Sequence, residues 1–328
     1  MSSLRFNFNF LFNPSQRLPS IKAWLVDTVW TKSRYEAMPH EEYLATGETA
    51  VCSLEEAIST GASKLWDELE AASRSAPSVK TWLSLDTPLP REEPRAAVIF
   101  DGLSLRELPL LLTQAETTGF RVKSAQVIAT CLPSETRSFV NQRVLGKDIG
   151  PSQLRGRAEL AERNIEAFYL DQPTSRESYP SGRSLLIWSS YPDRLFNNDE
   201  ARFEALFSTF HEHHIPTFWK NSVQAVPMGV PIVVTSDHGY IFFGAGMESN
   251  RWSDAATLLG QSRWKQFELT EKFPTWHSDL QILPQEHVAL LRGRLRARPQ
   301  GGNSRKLYQH GGLSLMEILV PWIELERI

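Results

Sequence analysis

The sequence predicts an α/β fold, a doubly wound and mostly parallel sheet with helices on both faces, preceded by a small helical segment. Two observations predict it. Short runs that are apolar at every position recur along the chain, and segments with helical spacing separate them. Strands of that kind are buried on both faces, as in parallel sheets whose crossover helices cover both sides. With 328 residues, 41% of them hydrophobic, the chain is long enough to bury such a core.

Four segments are predicted to form strands of this sheet. They are Ala96–Phe100, Val122–Ala129, Ser184–Trp188 and Pro231–Thr235. The spacing of apolar residues between these runs predicts helices. Those helices cover Leu105–Gln114, Thr136–Leu145 and Asp199–His213.

The first 95 residues are expected to form a mainly helical region of unassigned role, with the α/β domain over residues 96–328. Apolar residues at helical spacing predict a helix over Ser53–Ser75, with Ser53 as its N-cap. Leu85–Arg95 contains three prolines and several charges, which is typical of a linker.

Composition excludes several classes of protein. The 35 basic and 38 acidic residues leave a formal net charge of −3, which excludes a globally basic nucleic-acid coat but permits a local basic patch. Two cysteines, Cys52 and Cys131, are too few for a disulfide scaffold or a cysteine-based zinc site. Neither a secretory leader nor a run of ~18 apolar residues is recognisable, so we expect a cytoplasmic protein without membrane contact.

Polar side chains follow the predicted strands at the edge where α/β sheets bind ligands. Asp101 directly follows the first strand, Asp193 comes five residues after the third, and Asp237 and His238 lie just beyond the fourth. Carboxylate and imidazole ligands together suit Zn²⁺ or Mn²⁺. An Asp-Gly pair after a strand is also an ordinary turn, so each residue alone keeps a structural alternative.

Thr136 and His310 are further candidates. Pro133–Ser134 is typical of a helix start, which would make Ser134 the N-cap and place Thr136 in the first turn. There the helix dipole favours an alkoxide or a phosphate, although an ordinary first-turn threonine is the alternative. His310 precedes Gly311–Gly312, where the bare backbone permits close approach to a ligand, or it is a plain loop histidine.

A basic stretch precedes His310 without an acidic residue inside it. Its members are Arg292, Arg294, Arg296, Arg298, Arg305 and Lys306. Such a loop suits a phosphodiester backbone, and Arg298, Arg305 and Lys306 are the expected phosphate contacts. A solvated surface loop is the alternative, and no interleaved aromatic residues provide a stacking platform for bases.

Four ordered segments together resemble a PglZ domain. They read VIFDGLSLREL, LPSETRSFVNQRVLG, VVTSDHGY and HGGLSLMEILVPWI, and the resemblance covers roughly Ala96 to Ile328. PglZ domains belong to the alkaline phosphatase superfamily of metal-dependent phosphatases and phosphodiesterases. The resemblance implies a two-metal site at the carboxyl ends of the strands, with zinc expected and manganese or magnesium as alternatives.

The resemblance also implies roles for individual residues. Thr136 aligns with the nucleophile, whose hydroxyl contacts a metal as well. Asp101, Asp237 and His238 align with the other ligands of that first metal. His310, and less securely Asp193, align with ligands of the second metal.

The second metal site departs from the family pattern. The family places a histidine four residues after the aspartate, and Asn197 stands there in this chain. An amide oxygen is a weaker zinc ligand than an imidazole, so this site is expected to be impaired. Three nearby histidines are alternative donors or simply polar residues at a helix end: His211, His213 and His214.

The function that the resemblance implies is a metal-dependent phosphodiesterase or nuclease. The expected substrate is a phosphodiester such as nucleic acid or a nucleotide, and the setting is a phage-defence system of the BREX type with partner proteins. Two alternatives stay open. One is a catalytically weakened domain that binds nucleotide or assembles a defence complex, and the other is a phosphomonoesterase or phosphonate-type hydrolase.

Overall fold

A six-stranded sheet forms the centre of the protein. The computed structural model describes residues 4–87, 93–198, 207–243, 254–260, 262–272, 274, 277–295 and 308–328. The strands are β1 Ala96–Asp101, β2 Phe120–Ala129, β3 Ile165–Leu170, β4 Ser184–Pro192, β5 Ile232–Ser236, β6 Ile241–Phe242, β7 Trp264–Gln266, β8 Leu280–Leu283, β9 Val288–Leu291, β10 Tyr308–Gln309 and β11 Leu319–Arg327.

The order of strands in the central sheet is β2-β11-β5-β1-β4-β3. β5, β1, β4 and β3 pair in parallel. β11 runs antiparallel to both of its neighbours, β5 and β2, so β2 points the same way as the parallel strands. The predicted mostly parallel sheet is therefore confirmed. β10 pairs with β6, and β7, β9 and β8 form a small antiparallel sheet.

The helices surround this sheet. They are α1 Arg17–Trp24, α2 Lys32–Ala37, α3 His40–Gly61, α4 Lys64–Ser75, α5 Val79–Trp82, α6 Leu108–Thr117, α7 Thr136–Phe139, α8 Ala158–Ala161, α9 Asp193–Asn198, α10 Ile215–Asn221 and α11 Leu315–Ile318. Wider helical turns follow α1 and α7 and precede α10. No helix among the described residues combines the length and apolar character needed to cross a membrane.

Apolar layers cover both faces of the sheet. Successive side chains of a strand point to opposite faces. Phe100 of β1 accordingly packs with residues of α6 and α10 on one face. Ile99 packs on the other face with residues of α5, α8 and the segment after α7. This arrangement confirms the expected helices on both faces.

The N-terminal helices share a third core with the C-terminal part of the chain. Leu54 of α3 and Leu65 of α4 belong to the same buried cluster as Leu290 of β9 and Leu315 of α11. The division of the chain at residue 95 stays a prediction, but the helical region buries its apolar side chains against the sheet-bearing part.

Two strands of the central sheet were not predicted, β3 and β11. β11 contains Pro321, and proline usually argues against an inner strand because it lacks an N–H donor. The strand nevertheless lies between β5 and β2, and the Pro321 carbonyl accepts the Thr235 hydroxyl at 2.8 Å. Its side chains alternate between the two core layers, with Trp322 on one face and Ile323 on the other.

The predicted helix over Ser53–Ser75 is wrong in its boundaries. The segment comprises the second half of α3 and all of α4, with a break after Gly61. Ser53 is not an N-cap, because it lies inside α3, where its hydroxyl donates to the Thr49 carbonyl at 3.0 Å. Residues 88–92 of the predicted linker and 199–206 of the predicted helix lie outside the described residues.

Candidate active site

Asp237 and His238 form the floor of the site. Both follow β5 directly, and neither is exposed to solvent. Asp237 Oδ1 accepts two backbone hydrogen bonds at 3.0 Å, one from the Gly102 N–H and one from the His238 N–H. These bonds tie the turn after β1 to the turn after β5. They also leave Asp237 Oδ2 directed at the next residue of the site, Thr136.

The Thr136 hydroxyl reaches three of the predicted ligand atoms. It donates to Asp237 Oδ2 at 2.8 Å and lies 3.3 Å from Asp101 Oδ1 and 3.5 Å from His238 Nε2. Thr136 is half-buried, whereas Asp101 is buried. Thr136 is therefore more exposed than the three donor residues around its hydroxyl.

The predicted N-cap at Ser134 is wrong. The cap of α7 is Glu135, whose carboxylate accepts the Ser138 N–H at 2.8 Å. Ser134 instead holds the glycine loop, because its hydroxyl donates to the Gly312 carbonyl at 2.8 Å and accepts the Gly311 N–H at 3.1 Å. The capping preference favoured the wrong residue, since serine is a preferred N-cap type and glutamate is not.

Asp193 and His310 form a second group beside the first. Asp193 begins α9 directly after β4, and His310 follows β10. His310 Nε2 lies 3.5 Å from Asp193 Oδ1, with side-chain exposures of 24% and 20%. The His310 ring stacks on the His238 ring with centroids 4.0 Å apart. This group is the more accessible half of the site.

Backbone carbonyls orient both imidazoles. His238 Nδ1 lies 2.9 Å from the Gly239 carbonyl, and His310 Nδ1 lies 3.3 Å from the Ser134 carbonyl. Since a carbonyl only accepts, Nδ1 carries a proton in each ring, and Nε2 faces the carboxylates. Ligand histidines are oriented in this way at metal sites.

Two sets of side chains are spaced to hold a cation. One is Asp101, Asp237 and His238, and the other is Asp193, His238 and His310, with the donor atoms of each set within 4.8 Å of one another. The structure thus brings together at one sheet edge all the residues predicted from sequence as metal ligands. His238 is common to both sets, which the sequence did not suggest.

The charges of the cluster also suit a divalent cation. Burial and the neighbouring Asp237 charge raise the pKa of Asp101 to about 8. Burial alone lowers the pKa of His238, but the charges of Asp237 and Asp101 outweigh it and raise that pKa to about 10. In the metal-free protein, bound protons therefore offset the negative charge of the buried carboxylates. Carboxylate and imidazole donors fit Zn²⁺ or Mn²⁺, whose binding releases such protons.

The glycines after His310 are explained by packing rather than by ligand approach. Gly311 has φ +104°, and a Cβ there would overlap the Trp264 ring. A Cβ on Gly312 would lie 2.5 Å from Arg263 Nη2. Arg263 forms a buried two-bond ion pair with Glu317 at 2.6 and 2.7 Å, and Glu317 also accepts the Gly312 N–H. This pair stabilises the loop that carries His310.

In the part of the chain that the structure describes, the arginines of the basic stretch do not form one exposed basic patch. Arg294 is buried and forms ion pairs with Glu48 and Glu55 of α3 at 2.5 and 2.9 Å, which corrects its assignment to a solvated basic loop. Arg292 donates to Gln281. The remaining members, Arg296, Arg298, Arg305 and Lys306, lie outside the described residues, so the expected phosphate contacts stay predictions.

None of the three alternative histidines belongs to either donor set of the described residues. His211 is buried against Tyr35 and Phe207, and the His214 ring packs on Tyr191. The residues from 207 to 221 are helical throughout, so these histidines do not end a helix. The side chain of Asn197 lies outside the described part of the chain.

Sequence reasoning missed Tyr308. Its hydroxyl donates to Asp193 Oδ1 at 3.1 Å, so it contacts the second donor set. Residues two apart in an extended strand share a face, and Tyr308 precedes His310 by two. That spacing was the available signal.

The comparisons with known proteins returned distant structural neighbours. Murine ectonucleotide pyrophosphatase/phosphodiesterase 5 is 12% identical with a TM-score of 0.43, over 71% of this chain and 88% of that one. Phosphonoacetate hydrolase from Sinorhizobium meliloti 1021 is 12% identical with a TM-score of 0.40, over 71% and 90%. No protein-family model and no curated protein matches the chain.

Proposed function

We propose that this protein is a metal-dependent phosphoester hydrolase in which Thr136 is the nucleophile. One observation carries the proposal. The half-buried Thr136 hydroxyl lies within 3.5 Å of Asp101, Asp237 and His238, a buried set of two carboxyl groups and an imidazole. A structural threonine has no need of two carboxylates and an imidazole around its hydroxyl, since a single acceptor satisfies its one proton.

Both donor sets and Thr136 have a role in this chemistry. Asp101, Asp237 and His238 would hold the cation beside the nucleophile, and Asp193 and His310 would hold a second one. A bound divalent ion neutralises phosphoryl oxygens and acidifies a neighbouring hydroxyl. Asp237 Oδ2 accepts the hydrogen bond of Thr136 at 2.8 Å and so orients the hydroxyl within the cluster. Phosphoryl transfer depends mainly on this kind of positioning and charge neutralisation.

The finer assignment rests on the resemblance to PglZ domains. We propose a phosphodiester substrate, nucleic acid or a nucleotide, in a BREX-type defence system with partner proteins. The support is the order of the four motifs along the chain and the gathering of their polar residues at one sheet edge. Zinc is the proposed metal, with manganese or magnesium as alternatives.

The test is hydrolysis of bis(4-nitrophenyl) phosphate and 4-nitrophenyl phosphate with Zn²⁺, Mn²⁺ or Mg²⁺. We expect metal-dependent turnover of the diester in preference to the monoester. Thr136→Ala should lower kcat by about 10³-fold or more, because removal of a nucleophile abolishes the covalent route. Thr136→Ser should retain part of the activity. Ser138→Ala, which removes a hydroxyl two residues along α7, is the matched control and should resemble the wild type.

Two outcomes would contradict the assignment. Full turnover by Thr136→Ala would exclude it as the nucleophile. Preference for the monoester would favour a phosphomonoesterase and exclude the proposed substrate class.

One observation favours a second candidate function, a weakened domain that binds nucleotide or assembles a complex. Among the described residues, the second donor set has two ligands that it does not share, Asp193 and His310, because its third member, His238, also belongs to the first set. Asn stands at position 197, where the related family has histidine. Absence of turnover with every metal, in a folded protein that binds metal and nucleotide, would support this function.

A further inference from the structure

We propose that Tyr308 is a positioning residue of the second donor set, which holds the Asp193 carboxylate in place for a second cation. This inference rests on the proposed function only in assuming that the cluster binds metal. The first observation is direct contact. The Tyr308 hydroxyl donates to Asp193 Oδ1 at 3.1 Å, on the oxygen that also lies 3.5 Å from His310 Nε2.

The phenol is suited to hold this carboxylate. Asp193 is the first residue of α9, and its partly exposed side chain lies within hydrogen-bond distance of the phenol. A phenol keeps its proton at neutral pH, because its ordinary pKa is about 10. A neutral donor leaves the charge of the carboxylate intact for a cation.

The ring of Tyr308 is itself held in place. It is 5% exposed and packs against Phe196 and Tyr240, with ring centroids 4.9 and 4.7 Å away. Tyr240 is fixed by donation from its hydroxyl to Glu107 at 2.8 Å and by the Arg106 guanidinium 4.3 Å from its ring centroid. A donor held on a packed aromatic wall can fix its acceptor without losing much side-chain entropy.

Gly102 makes room for this pair. It has φ +74°, in the left-handed region. A Cβ there would lie 2.8 Å from the Tyr308 hydroxyl oxygen and 3.0 Å from Asp193 Cβ. The glycine that follows the first-set ligand Asp101 is therefore required for the second set as well, so one turn couples the two donor sets.

The experiment is calorimetric titration of the metal-free full chain with Mn²⁺. We expect the wild type to bind two ions. Tyr308→Phe should leave the affinity of the first ion unchanged and weaken the second by 10- to 100-fold, the usual cost of losing a hydrogen bond to a metal ligand. Tyr179→Phe removes a phenol that donates to the Asn221 carbonyl at 2.9 Å, away from the site, and should preserve both affinities. A second-ion affinity unchanged in Tyr308→Phe, or equally weakened in Tyr179→Phe, would overturn the proposal.

Asp193→Asn provides an independent arm if Tyr308→Phe folds poorly. This variant should lower the affinity for the second ion by itself. When Tyr308→Phe is added to Asp193→Asn, that affinity should not fall further. Additive losses would show that the two residues act separately and would overturn the proposal, as would binding of a single ion by the wild type. These titrations need no turnover. Loss of the second ion in Tyr308→Phe alone would therefore support the proposal even if the protein hydrolysed no phosphoester.

Discussion

Replacing Glu48 by glutamine should destabilise the protein by about 3–5 kcal/mol, the usual cost of breaking a buried ion pair on one side. Glu48 lies on α3 and is fully buried. Its two carboxylate oxygens lie 2.5 Å from Arg106 Nε and 2.5 Å from Arg294 Nη2. Glutamine keeps the shape but removes the charge, which breaks the ion pairs to both buried guanidinium groups and leaves Arg294 its pair with Glu55.

The size of the effect should depend on pH. Burial by itself raises the pKa of Glu48, but the charges of Arg106 and Arg294 outweigh burial and hold that pKa below its ordinary value of 4.5. A carboxyl group with a lowered pKa stabilises the fold above its unfolded pKa and loses that contribution as the pH falls through the folded value. The cost of Glu48→Gln should therefore be full at pH 7 and shrink below about pH 4.

Urea unfolding followed by tryptophan fluorescence measures the change in the free energy of unfolding. In thermal unfolding, with about 2.1 cal/mol/K of unfolding entropy per residue, the same loss corresponds to a drop in Tm of about 4–7 °C. Glu56→Gln, at an exposed position of the same helix, is the control and should change stability by less than about 0.5 kcal/mol. Equal stability of the two variants at pH 7 would refute the reasoning that the buried Glu48 charge stabilises the fold through Arg106 and Arg294.

Two further predictions concern the site itself. Gly239→Ala should weaken Mn²⁺ binding, because its Cβ would overlap the Met316 carbonyl and displace the backbone beside His238. Gly61→Ala, whose Cβ would meet nothing within 4 Å, is the control, and equal affinities would contradict the reasoning. In the metal-free protein, Tm should fall as the pH rises from 6 to 10, since the raised pKa values of Asp101 and His238 mean that folding favours their protonated forms. Scanning calorimetry with chelator should show this decline, added Mn²⁺ should flatten it, and a pH-independent Tm without metal would contradict it.

The sequence by itself determined the fold class and the positions to inspect for a site. Short continuous apolar runs that alternate with helical segments favour strands buried on both faces, and parallel strands point their carboxyl ends at one edge of the sheet. Asp101, Asp237 and His238 stand at those ends by local position, so their proximity follows from topology. Their role as metal ligands stays a prediction that the titrations test.

Only the tertiary structure decided the partners of residues far apart in the chain. Glu55 follows the predicted cap Ser53 by two positions and would lie in the first turn of that predicted helix, yet it bonds to Arg294, 239 positions away. Ser134 has the form of a cap but holds the loop of His310, and Tyr308 carries no motif until Asp193 is placed beside it. The physical reason is that helix and strand periods reveal which face of an element is buried, whereas buried polar pairs depend on which elements pack together.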